Sequence, residues 1–566
     1  MALDWQDWHD ELLQRSGEEQ RPVLLVLNTG WGRCGADFEH AVLNDERVID
    51  ALATHAITAR VDKDARPELD ARYNQGGWPS VVLLDSEGEV LFGDTAPEAT
   101  VLLEQVQRAA LRCRGESPPD DAERAATEAL LDETIPPAIE RALLADFDDR
   151  HGGFGTGEKF PHPDALDYAL LRHAESRNAR LHEILEKTFS KIAKGGLHDA
   201  VDGGFFRYCG RRDWSRPHTE KLLETNAGLA RNFLEMGQMQ GRADFLAVGE
   251  RTIDAMLRDF FDADMGLLHS GVDPDDEYYA LDAAGRRTRR TPNRSGRMLA
   301  DGNARAISAL LIAGAVLSRK DLTQRAVAVG ENLMRKLWRR GKGMYHSHDG
   351  QQPQLNCYLR DQAEVARSLL HIVQFTGDAR FLAPLEDLIE HIANTFVDAN
   401  GEFTSRADGK ARVGRRDAQI LEGAVAAEVF LRASMLLGRP SLAEVATRAL
   451  EHHAQDFRRY GYAMAAYGRS IELVLHPPLH IVVVGEQGDS VSDALLKAAS
   501  TTYLPSRVVQ WLDPAVDAEH LERLGLPTDG RPTAYVFRDR VCAGEHHAPE
   551  TLPQGLRDAN DRRLGR

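Results

Sequence analysis

The sequence contains few cysteines, and no two of them lie close together. Five are spread over 566 residues, at Cys34, Cys113, Cys209, Cys357 and Cys542. None belongs to a C-x-x-C motif or to a Cys/His cluster. An odd and scattered set indicates reduced thiols rather than a disulfide framework. The sequence therefore predicts no structural zinc site, and we expect no metal or other cofactor.

Long apolar runs and an excess of basic residues are also missing. No stretch approaches the roughly 18 apolar residues of a membrane span, and the start MALDWQDWHDELLQRS lacks the basic and apolar regions of a secretion signal. The formal net charge of -19 predicts a surface that repels phosphate backbones and anionic lipids. We therefore expect a cytoplasmic protein that binds neither nucleic acid nor membranes.

The length and the hydrophobic content of 42% predict two or three domains rather than a single core. Between residues 1 and 113, strand and helix patterns alternate, which predicts an α/β domain. The stretch 114–127 combines paired prolines with clustered acids and is interpreted as a linker. Helical periodicity dominates residues 128–475, whereas residues 476–566 predict three strands, one helix and hence a small C-terminal α/β region.

Two helices are predicted before the strand ITARVD of the first domain. Leu3, Trp8, Leu12 and Leu13 approximate a helical stripe. Residues 37–55, DFEHAVLNDERVIDALATH, are predicted to form one further helix.

A turn made of glycine and an aromatic or apolar residue recurs six times in the helical region. The occurrences are HGGFGT near Phe154, DGGFFR near Phe205, MGLLHS near Leu267, KGMYHS near Met344, GEFTS at Phe403 and YGYAMAA at Tyr462. Their spacing of roughly 50 to 77 residues leaves room each time for two helices and their loops. Six such hairpins closing on themselves predict an all-α (α/α)6 toroid with one concave mouth.

The N-terminal domain carries landmarks of a known fold. In thioredoxin folds, a Trp precedes a C-x-x-C motif at a helix N-terminus and a cis-proline faces it. Trp31 and the Trp78-Pro79 bond match these landmarks. The segment RVDKDARPELDARYNQGGWPSVVLLDSEGEV resembles the thioredoxin-domain family that includes bacterial YyaL and spermatogenesis-associated protein 20. The resemblance covers nearly the whole chain and implies a thioredoxin-like domain followed by a six-hairpin-glycosidase-like toroid.

The redox motif of that family is incomplete in this sequence. Alignment without gaps from EHAVLNDERV places the two cysteines of the family's C-H-W-C at Gly32 and Gly35. Cys34 lies between them without a resolving partner, so dithiol exchange is not expected. Because a helix N-terminus favours a thiolate, monothiol redox or chaperone-like work at Cys34 is one alternative. The other is a domain kept as a docking surface for a protein partner. The resemblance implies that Pro79 is cis.

Groups suited to acid–base chemistry are densest between residues 195 and 229. The candidates there are Asp199, Asp202, Arg207, His218 and Glu220. At a concave mouth, carboxylates and a histidine can protonate a glycosidic oxygen or remove a proton next to a carbonyl. The alternative is that the same groups brace loops and cap helices.

The family resemblance is most specific in this same loop. The matching residues are Gly195, Gly196, Asp199, Gly203, Gly204, Phe205, Arg207, Tyr208, Trp214, Pro217, His218, Glu220, Lys221 and Leu223. The resemblance implies substrate-binding roles for Arg207, Tyr208, Trp214 and Lys221. The sequence departs from the family at Thr219, Leu222 and Thr225, and Thr225 replaces an acid.

Two aspartates at predicted helix starts complete the candidate site. Asp301 in LADGNARAIS matches the family and is a candidate for substrate binding, although it could also cap its helix. Asp361 in CYLRDQAEVA resembles the family's Leu-x-Asp-Tyr-Ala and is a catalytic candidate. Hairpin starts of a toroid would direct both toward the mouth.

Three functions remain open from the sequence. The first is binding of a carbohydrate or acid–base chemistry on it, for which Asp199, His218, Glu220 and Asp361 must converge in one pocket. An epimerase would need two histidines, for which His198 and His218 are the nearest pair. The second is monothiol or chaperone-like work through the thioredoxin-like domain. The third is a non-catalytic scaffold.

Overall fold

The computed structural model divides the chain into two compact units. One holds the described residues up to 115, and the other holds nearly all of those from 130 onward. The described residues are 3–29, 35, 38–75, 78–115, 130–407, 416–454, 456–528, 530–539 and 541–566. Most of the predicted linker, 114–127, lies outside them.

The N-terminal unit is a five-stranded sheet with helices on both faces. Its elements are β1 (Gln6–Asp7), α1 (Glu11–Glu19), β2 (Val23–Asn28), α2 (Glu46–His55), β3 (Ile57–Asp62), α3 (Pro67–Tyr73), β4 (Ser80–Leu84), β5 (Val90–Thr95) and α4 (Ala99–Cys113). The strand order is β1-β3-β2-β4-β5. Strand β2 runs parallel to β3 and antiparallel to β4, and β4 runs antiparallel to β5.

The central strand β2 is apolar throughout because both of its faces are covered. Leu24 and Val26 pack with α2 and α4, whereas Leu25 and Leu27 pack with α1 and α3. This arrangement explains the continuous run VLLVLN, which is typical of a strand buried on two sides.

Two helix predictions in this unit need correction. The first helix begins only at Glu11, because Gln6 and Asp7 instead pair in parallel with β3 at the edge of the sheet. The helix predicted over 37–55 is interrupted after Leu43, where a short π-helical segment ends. The side chain of Asp45 then caps α2 by accepting a hydrogen bond from the Arg47 amide, at 2.9 Å. A capping aspartate starts a new helix rather than continuing the old one.

Twelve helices of the larger unit's described residues form the predicted toroid. They are α5 (Ile135–Ala145), α6 (Pro163–Ser176), α7 (Ala179–Lys194), α8 (Leu223–Gln240), α9 (Ala243–Asp259), α10 (Ala300–Val316), α11 (Lys320–Leu337), α12 (Leu359–Thr376), α13 (Leu382–Thr395), α14 (Arg416–Leu436), α15 (Pro440–Glu451) and α16 (Ala465–Leu475). The even-numbered helices are the inner ones. Helix α8 packs on α6 and α10, α10 packs on α12, and α16 packs on α6.

Helix α14 completes the inner ring through side chains. Glu428 accepts from Arg469 of α16 at 3.1 Å and lies 3.7 Å from Arg367 of α12. The hydroxyl of Ser470 also donates to the carbonyl of Ala424, at 2.7 Å. The even-numbered helices therefore form a closed ring, which confirms the (α/α)6 prediction.

The glycine turns lie in the segments that lead into the inner helices, and five of the six close a small antiparallel pairing. Phe154, Phe205 and Phe403 form single bridges with Phe147, His198 and Val397. Leu267–Leu268 and Gly343–Met344 form two-residue strands that pair with Phe261–Asp262 and Trp338–Arg339, which follow α9 and α11. The glycines at 204 and 343 have φ of 80° and 74°, which only glycine adopts without strain. The sixth turn, Gly461–Met464, is a 3-10 helix instead.

The C-terminal residues form a second small sheet. Its elements are β6 (Leu479–Val484), α17 (Ser490–Thr501), β7 (Arg507–Leu512), α18 (Ala518–Leu524), β8 (Thr533–Arg538), β9 (Val541–His546) and α19 (Leu552–Arg563), with strand order β7-β6-β8-β9. The structure adds β9, α18 and α19 to the three strands and one helix that the sequence predicted.

This C-terminal region covers the end of the toroid where the inner helices terminate. The Val509 amide donates to Gln374 of α12 at 3.0 Å, and Gln510 donates to the carbonyl of Leu436 in α14 at 3.1 Å. The other end of the toroid is the one at which the inner helices begin. No helix of the described residues is both long and apolar enough to span a bilayer.

Candidate functional site

The second residue of four inner helices brings charge to the end of the toroid at which these helices begin, called the mouth below. These residues are Asp164 of α6, Glu224 of α8, Asp301 of α10 and Arg360 of α12. A carboxylate in the first turn is favoured by the helix dipole, whereas an arginine there is not. Arg360 therefore needs another explanation, and its contacts supply it.

Arg360 connects three inner helices. Its Nε lies 2.6 Å from a carboxylate oxygen of Asp301, and its Nη2 lies 2.6 Å from one of Glu224. Side-chain exposure is 61% for Asp164, 44% for Glu224 and 39% for Arg360, but only 7% for Asp301. Asp164, Glu224 and Arg360 therefore keep accessible surface inside the helix ring, whereas Asp301 is shielded. The mouth is therefore a polar cup with Asp301 at its floor.

The carboxyl groups of the mouth have opposite pKa shifts. Burial raises the pKa of Glu422, near the start of α14, to about 7, and the charges of Asp361 and Asp301 add to the rise. Burial also raises the pKa of Asp361. The pKa of Asp301 is lowered: burial opposes the shift, but the Arg360 guanidinium outweighs it. Near neutral pH, Glu422 is thus partly protonated while Asp301 is ionised.

Asp361 is paired with a buried histidine. Nδ1 of His346 lies 3.1 and 3.0 Å from the two carboxylate oxygens of Asp361. The exposed fraction is 4% for His346 and 1% for Asp361. A carboxylate on one ring nitrogen fixes the orientation of an imidazole. The pair therefore stiffens the wall beside Arg360.

Aromatic rings continue from the start of α6 to His218. The Tyr208 ring stacks on Phe160 at 4.8 Å between centroids and on His218 at 5.2 Å, with interplanar angles of 15° and 13°. His162, which precedes α6, lies edge-on to Tyr462 at 5.2 Å. All five rings are half-buried. They form a partly accessible aromatic face, called the aromatic row below.

Beyond His218, a buried ion pair ends the aromatic row. Glu220 accepts from Arg207 at 3.0 Å, and its carboxylate lies 3.9 Å from Nδ1 of His218. Burial lowers the pKa of His218, although Glu220 opposes the shift. His218 is therefore neutral at physiological pH and can accept or donate one proton.

Three other predicted residues belong to a separate buried cluster. Lys221 donates to Asp199 at 3.0 Å, and Arg286 donates to Asp199 at 2.8 Å and to Asp202 at 2.7 Å. Despite burial, the pKa of Asp199 is lowered by Lys221 and Arg286. These contacts brace the 195–222 loop. The structure brings Asp199 together with Lys221 and Asp202, and brings Asp361 together with Asp301.

Other predicted residues lie away from the cup or outside the described residues. Trp214 is 1% exposed, and its indole N–H donates to the His151 carbonyl at 2.9 Å, so it is a core residue. His198 is buried against the Phe205 ring, with centroids 5.2 Å apart. The capping role weighed for Asp301 is corrected, because Asp301 is the second helical residue and Leu299 occupies the cap.

The N-terminal candidates are only partly described. The Trp78–Pro79 peptide bond is cis. Trp31 and Cys34 lie outside the described residues. Within the described part of the chain, no group of three or more His, Cys, Asp or Glu side chains is placed to hold a metal ion.

Sequence reasoning missed Glu224, His346, Arg360 and Glu422. A signal for two of them existed: each of three inner helices carries a buried amide at its fourth position, Asn226, Asn303 or Gln362. The residue two positions earlier is Glu224, Asp301 or Arg360. Aligning the helix starts on these amides would have grouped the cup residues.

Comparison with known proteins agrees with this architecture. Residues 1–108 match the thioredoxin-like DsbH family model. That model is described as a protein of unknown function, DUF255. Spermatogenesis-associated protein 20 of Rattus norvegicus is 22% identical over 716 aligned residues, which cover 98% of this chain and 89% of that protein. The resemblance predicted from the sequence is therefore confirmed.

Solved structures align with the larger unit at low identity. Cellobiose 2-epimerase from Spirochaeta thermophila is 16% identical with a TM-score of 0.49, covering 60% of this chain and 98% of that one. Unsaturated glucuronyl hydrolase from Bacillus sp. GL1 is 13% identical with a TM-score of 0.45, covering 60% and 94%.

Proposed function

We propose that the mouth of the toroid binds a carbohydrate and acts on it by general acid–base chemistry. The observation that carries the proposal is the cup, in which Arg360 lies 2.6 Å from the shielded Asp301 while the pKa of the neighbouring Glu422 is raised. Two carboxyl groups whose environments drive their pKa values apart supply a proton donor and an ionised partner at the same pH. Such a pair suits either cleavage of a glycosidic bond or proton transfer next to a sugar carbonyl.

In this proposal, Glu422 is the general acid. Its pKa of about 7 keeps a large share of the carboxyl group protonated at neutral pH and matches the proton-transfer step to the working pH. Asp301 acts as the carboxylate that accepts a proton or stabilises developing positive charge. Arg360 is the positioning residue that keeps Asp301 ionised, at 2.6 Å.

The aromatic row supplies the binding surface. Partly accessible rings such as Tyr208 and Phe160 offer flat apolar area, and the half-buried His218 beside them offers a polar contact. Pockets that bind small molecules combine these two kinds of surface. A sugar has apolar C–H faces and polar hydroxyl edges, so it fits such a mixture. Arg207 holds Glu220 in place from behind.

A ligand screen with matched variants tests this proposal. Thermal unfolding of the full chain is followed with a library of mono- and oligosaccharides for wild type, Asp301→Asn and Tyr208→Ala. The control is Glu183→Gln, on the outer helix α7, where the side chain is 63% exposed. Because a ligand that binds only the folded state raises the melting temperature, at least one sugar should stabilise wild type and the control but not the two mouth variants. Stabilisation of all four proteins alike, or of none, would reject it.

The remaining roles stay predictions. A protein-docking role of the N-terminal domain and a cytoplasmic location rest on the sequence alone. The monothiol alternative depends on Cys34, which lies outside the described residues.

A further inference from the structure

A second cavity lies at the opposite end of the toroid from the mouth. It is enclosed between the ends of the inner helices α8, α12 and α14 and the strand β7 of the C-terminal region. Its volume is about 70 Å³, enough for roughly two water molecules. Its charged lining residues are Arg231, Glu235, Arg432, Arg469 and Arg507. We call this cavity the arginine chamber.

Three of the four arginines have carboxylate partners. Arg231 donates to Asp167 at 2.7 Å and to Glu235 at 3.0 Å. Arg469 and Arg432 share Glu428, at 3.1 and 3.0 Å. These ion pairs neutralise the three arginines that the toroid helices contribute to the chamber wall.

Arg507 differs from the other three. Its Nη1 donates to the carbonyl of Leu504 and its Nη2 to that of Ser500, both at 2.7 Å. Among the described residues, no carboxylate forms an ion pair with Arg507. Burial lowers the pKa of Arg507 to about 10; the Glu235 carboxylate opposes this shift, whereas the nearby Arg432 adds to it. In the described part of the chain, the four arginines thus face three carboxylates, those of Asp167, Glu235 and Glu428. The remaining positive charge in a partly desolvated chamber favours an anion that is not part of the chain.

The backbone around Arg507 is fixed by Arg432. Nη1 of Arg432 donates to the carbonyl of Arg507 at 2.6 Å, and Nη2 donates to that of Pro505 at 3.0 Å. Arg432 itself is only 4% exposed. The basic wall of the chamber is thus rigid before any ligand binds, which lowers the entropic cost of binding.

An outer groove borders the chamber. The groove has a volume of about 720 Å³ and shares four lining residues with the chamber: Gln238, Tyr503, Leu504 and Pro505. Its other lining residues are largely polar, among them Thr501, Gln554 and Asn560. A narrow charged chamber at the end of a wider polar groove suits a ligand with a small charged head and a larger polar body.

We propose that the arginine chamber binds a small organic anion through a phosphate or carboxylate head group, which pairs with the Arg507 side of the chamber while the polar body lies in the outer groove. Guanidinium groups bind both head groups through charge-assisted hydrogen bonds. The carboxylate of Glu235 on the opposite wall disfavours polyanions. This site is separate from the mouth, so its occupant is a second ligand and not the proposed substrate.

Equilibrium dialysis of the full chain with radiolabelled inorganic phosphate tests the proposal. At constant ionic strength and pH 7.5, one saturable site per chain is expected. Arg507→Gln should weaken binding at least about tenfold, because it removes a charge-assisted contact. The control Arg290→Gln changes an exposed arginine in the loop before α10, whose Nη2 lies 3.2 Å from Asn293, and should bind as wild type does.

A competition arm distinguishes the head groups. Displacement of phosphate by acetate identifies a chamber that takes carboxylates as well, whereas no displacement restricts it to phosphate monoesters. Circular dichroism melts establish that each variant is folded. If Arg507→Gln does not fold, Tyr503→Phe replaces it and should weaken binding several-fold. The proposal is overturned if wild type shows no saturable phosphate binding, or if folded Arg507→Gln or its replacement binds as tightly as wild type.

Discussion

The side-chain amide of Asn303 pairs with both backbone groups of Leu268. Its oxygen accepts from the Leu268 amide at 2.8 Å, and its nitrogen donates to the Leu268 carbonyl at 2.9 Å. The same nitrogen donates to the carbonyl of Leu299 at 2.9 Å. Asn226 makes the equivalent contacts with Phe205 and Leu222, and Gln362 makes them with Met344 and Tyr358.

Replacing this amide should destabilise the toroid. Asn303→Leu removes the side-chain partner of the buried Leu268 amide and carbonyl and one bond to the Leu299 carbonyl before α10, which costs about 2–4 kcal/mol of the free energy of unfolding. Urea unfolding measures the loss. The control Asn293→Leu changes an exposed asparagine and should cost less than about 1 kcal/mol. Equal losses in the two variants would contradict a structural role for the repeated amide.

The glycine turns show how much of the fold the sequence could predict. A glycine such as Gly204 or Gly343 is a local requirement of the backbone, so its recurrence reveals the number of hairpins. Residues of the cup are different, because Arg360 and Asp301 are 59 positions apart in the chain and become neighbours only when the ring closes. Asp199 and Arg286, 87 positions apart, show the same limit. A loop aspartate has the same appearance in the sequence whether it faces solvent or a buried arginine.

Asp199 should matter for stability. Asp199→Asn leaves Lys221 and Arg286 buried with fewer negative partners, and we expect a loss of about 3 kcal/mol in the free energy of unfolding. Asp202→Asn is the matched control, because the Asp202 side chain is 31% exposed and contacts only the Arg286 side of the cluster. Its loss should stay below about 1 kcal/mol in the same urea titration. If Asp199→Asn lost as little free energy of unfolding as Asp202→Asn, the bracing role of Asp199 would be ruled out.

Glu422 should make stability depend on pH. Its pKa is about 7 in the folded protein and 4.5 when unperturbed, so the folded state binds more protons between these values. Its contribution to stability is therefore fully present below pH 4.5 and is lost as the pH rises through 7. Relative to that of wild type, the free energy of unfolding of Glu422→Gln should increase by up to about 3 kcal/mol between pH 4.5 and pH 8. Unfolding titrations at both pH values measure this gain, and the same relative stability at both would refute the shift.

Arg360 and Asp301 should be energetically coupled. A double-mutant cycle with Arg360→Gln and Asp301→Asn should give a coupling energy of about 1 kcal/mol or more, because the Asp301 side of the pair is shielded from water. The matched cycle uses Arg180 and Glu183, an exposed pair on α7 at 3.0 Å. Its coupling should be only about 0.3 kcal/mol. Similar coupling energies in both cycles would contradict a shielded pair at the floor of the cup.

Proton NMR spectra of a bound sugar, recorded in deuterated buffer during incubation with the protein, test the proposed acid–base chemistry most directly. For any sugar that stabilises the protein, wild type should produce new anomeric signals or exchange a carbon-bound proton for deuterium. Glu422→Gln should bind the sugar but lose this reaction by a factor of at least about 100. A sugar that binds at the mouth and stays unchanged with wild type, or reacts equally with Glu422→Gln, would contradict the proposed chemistry.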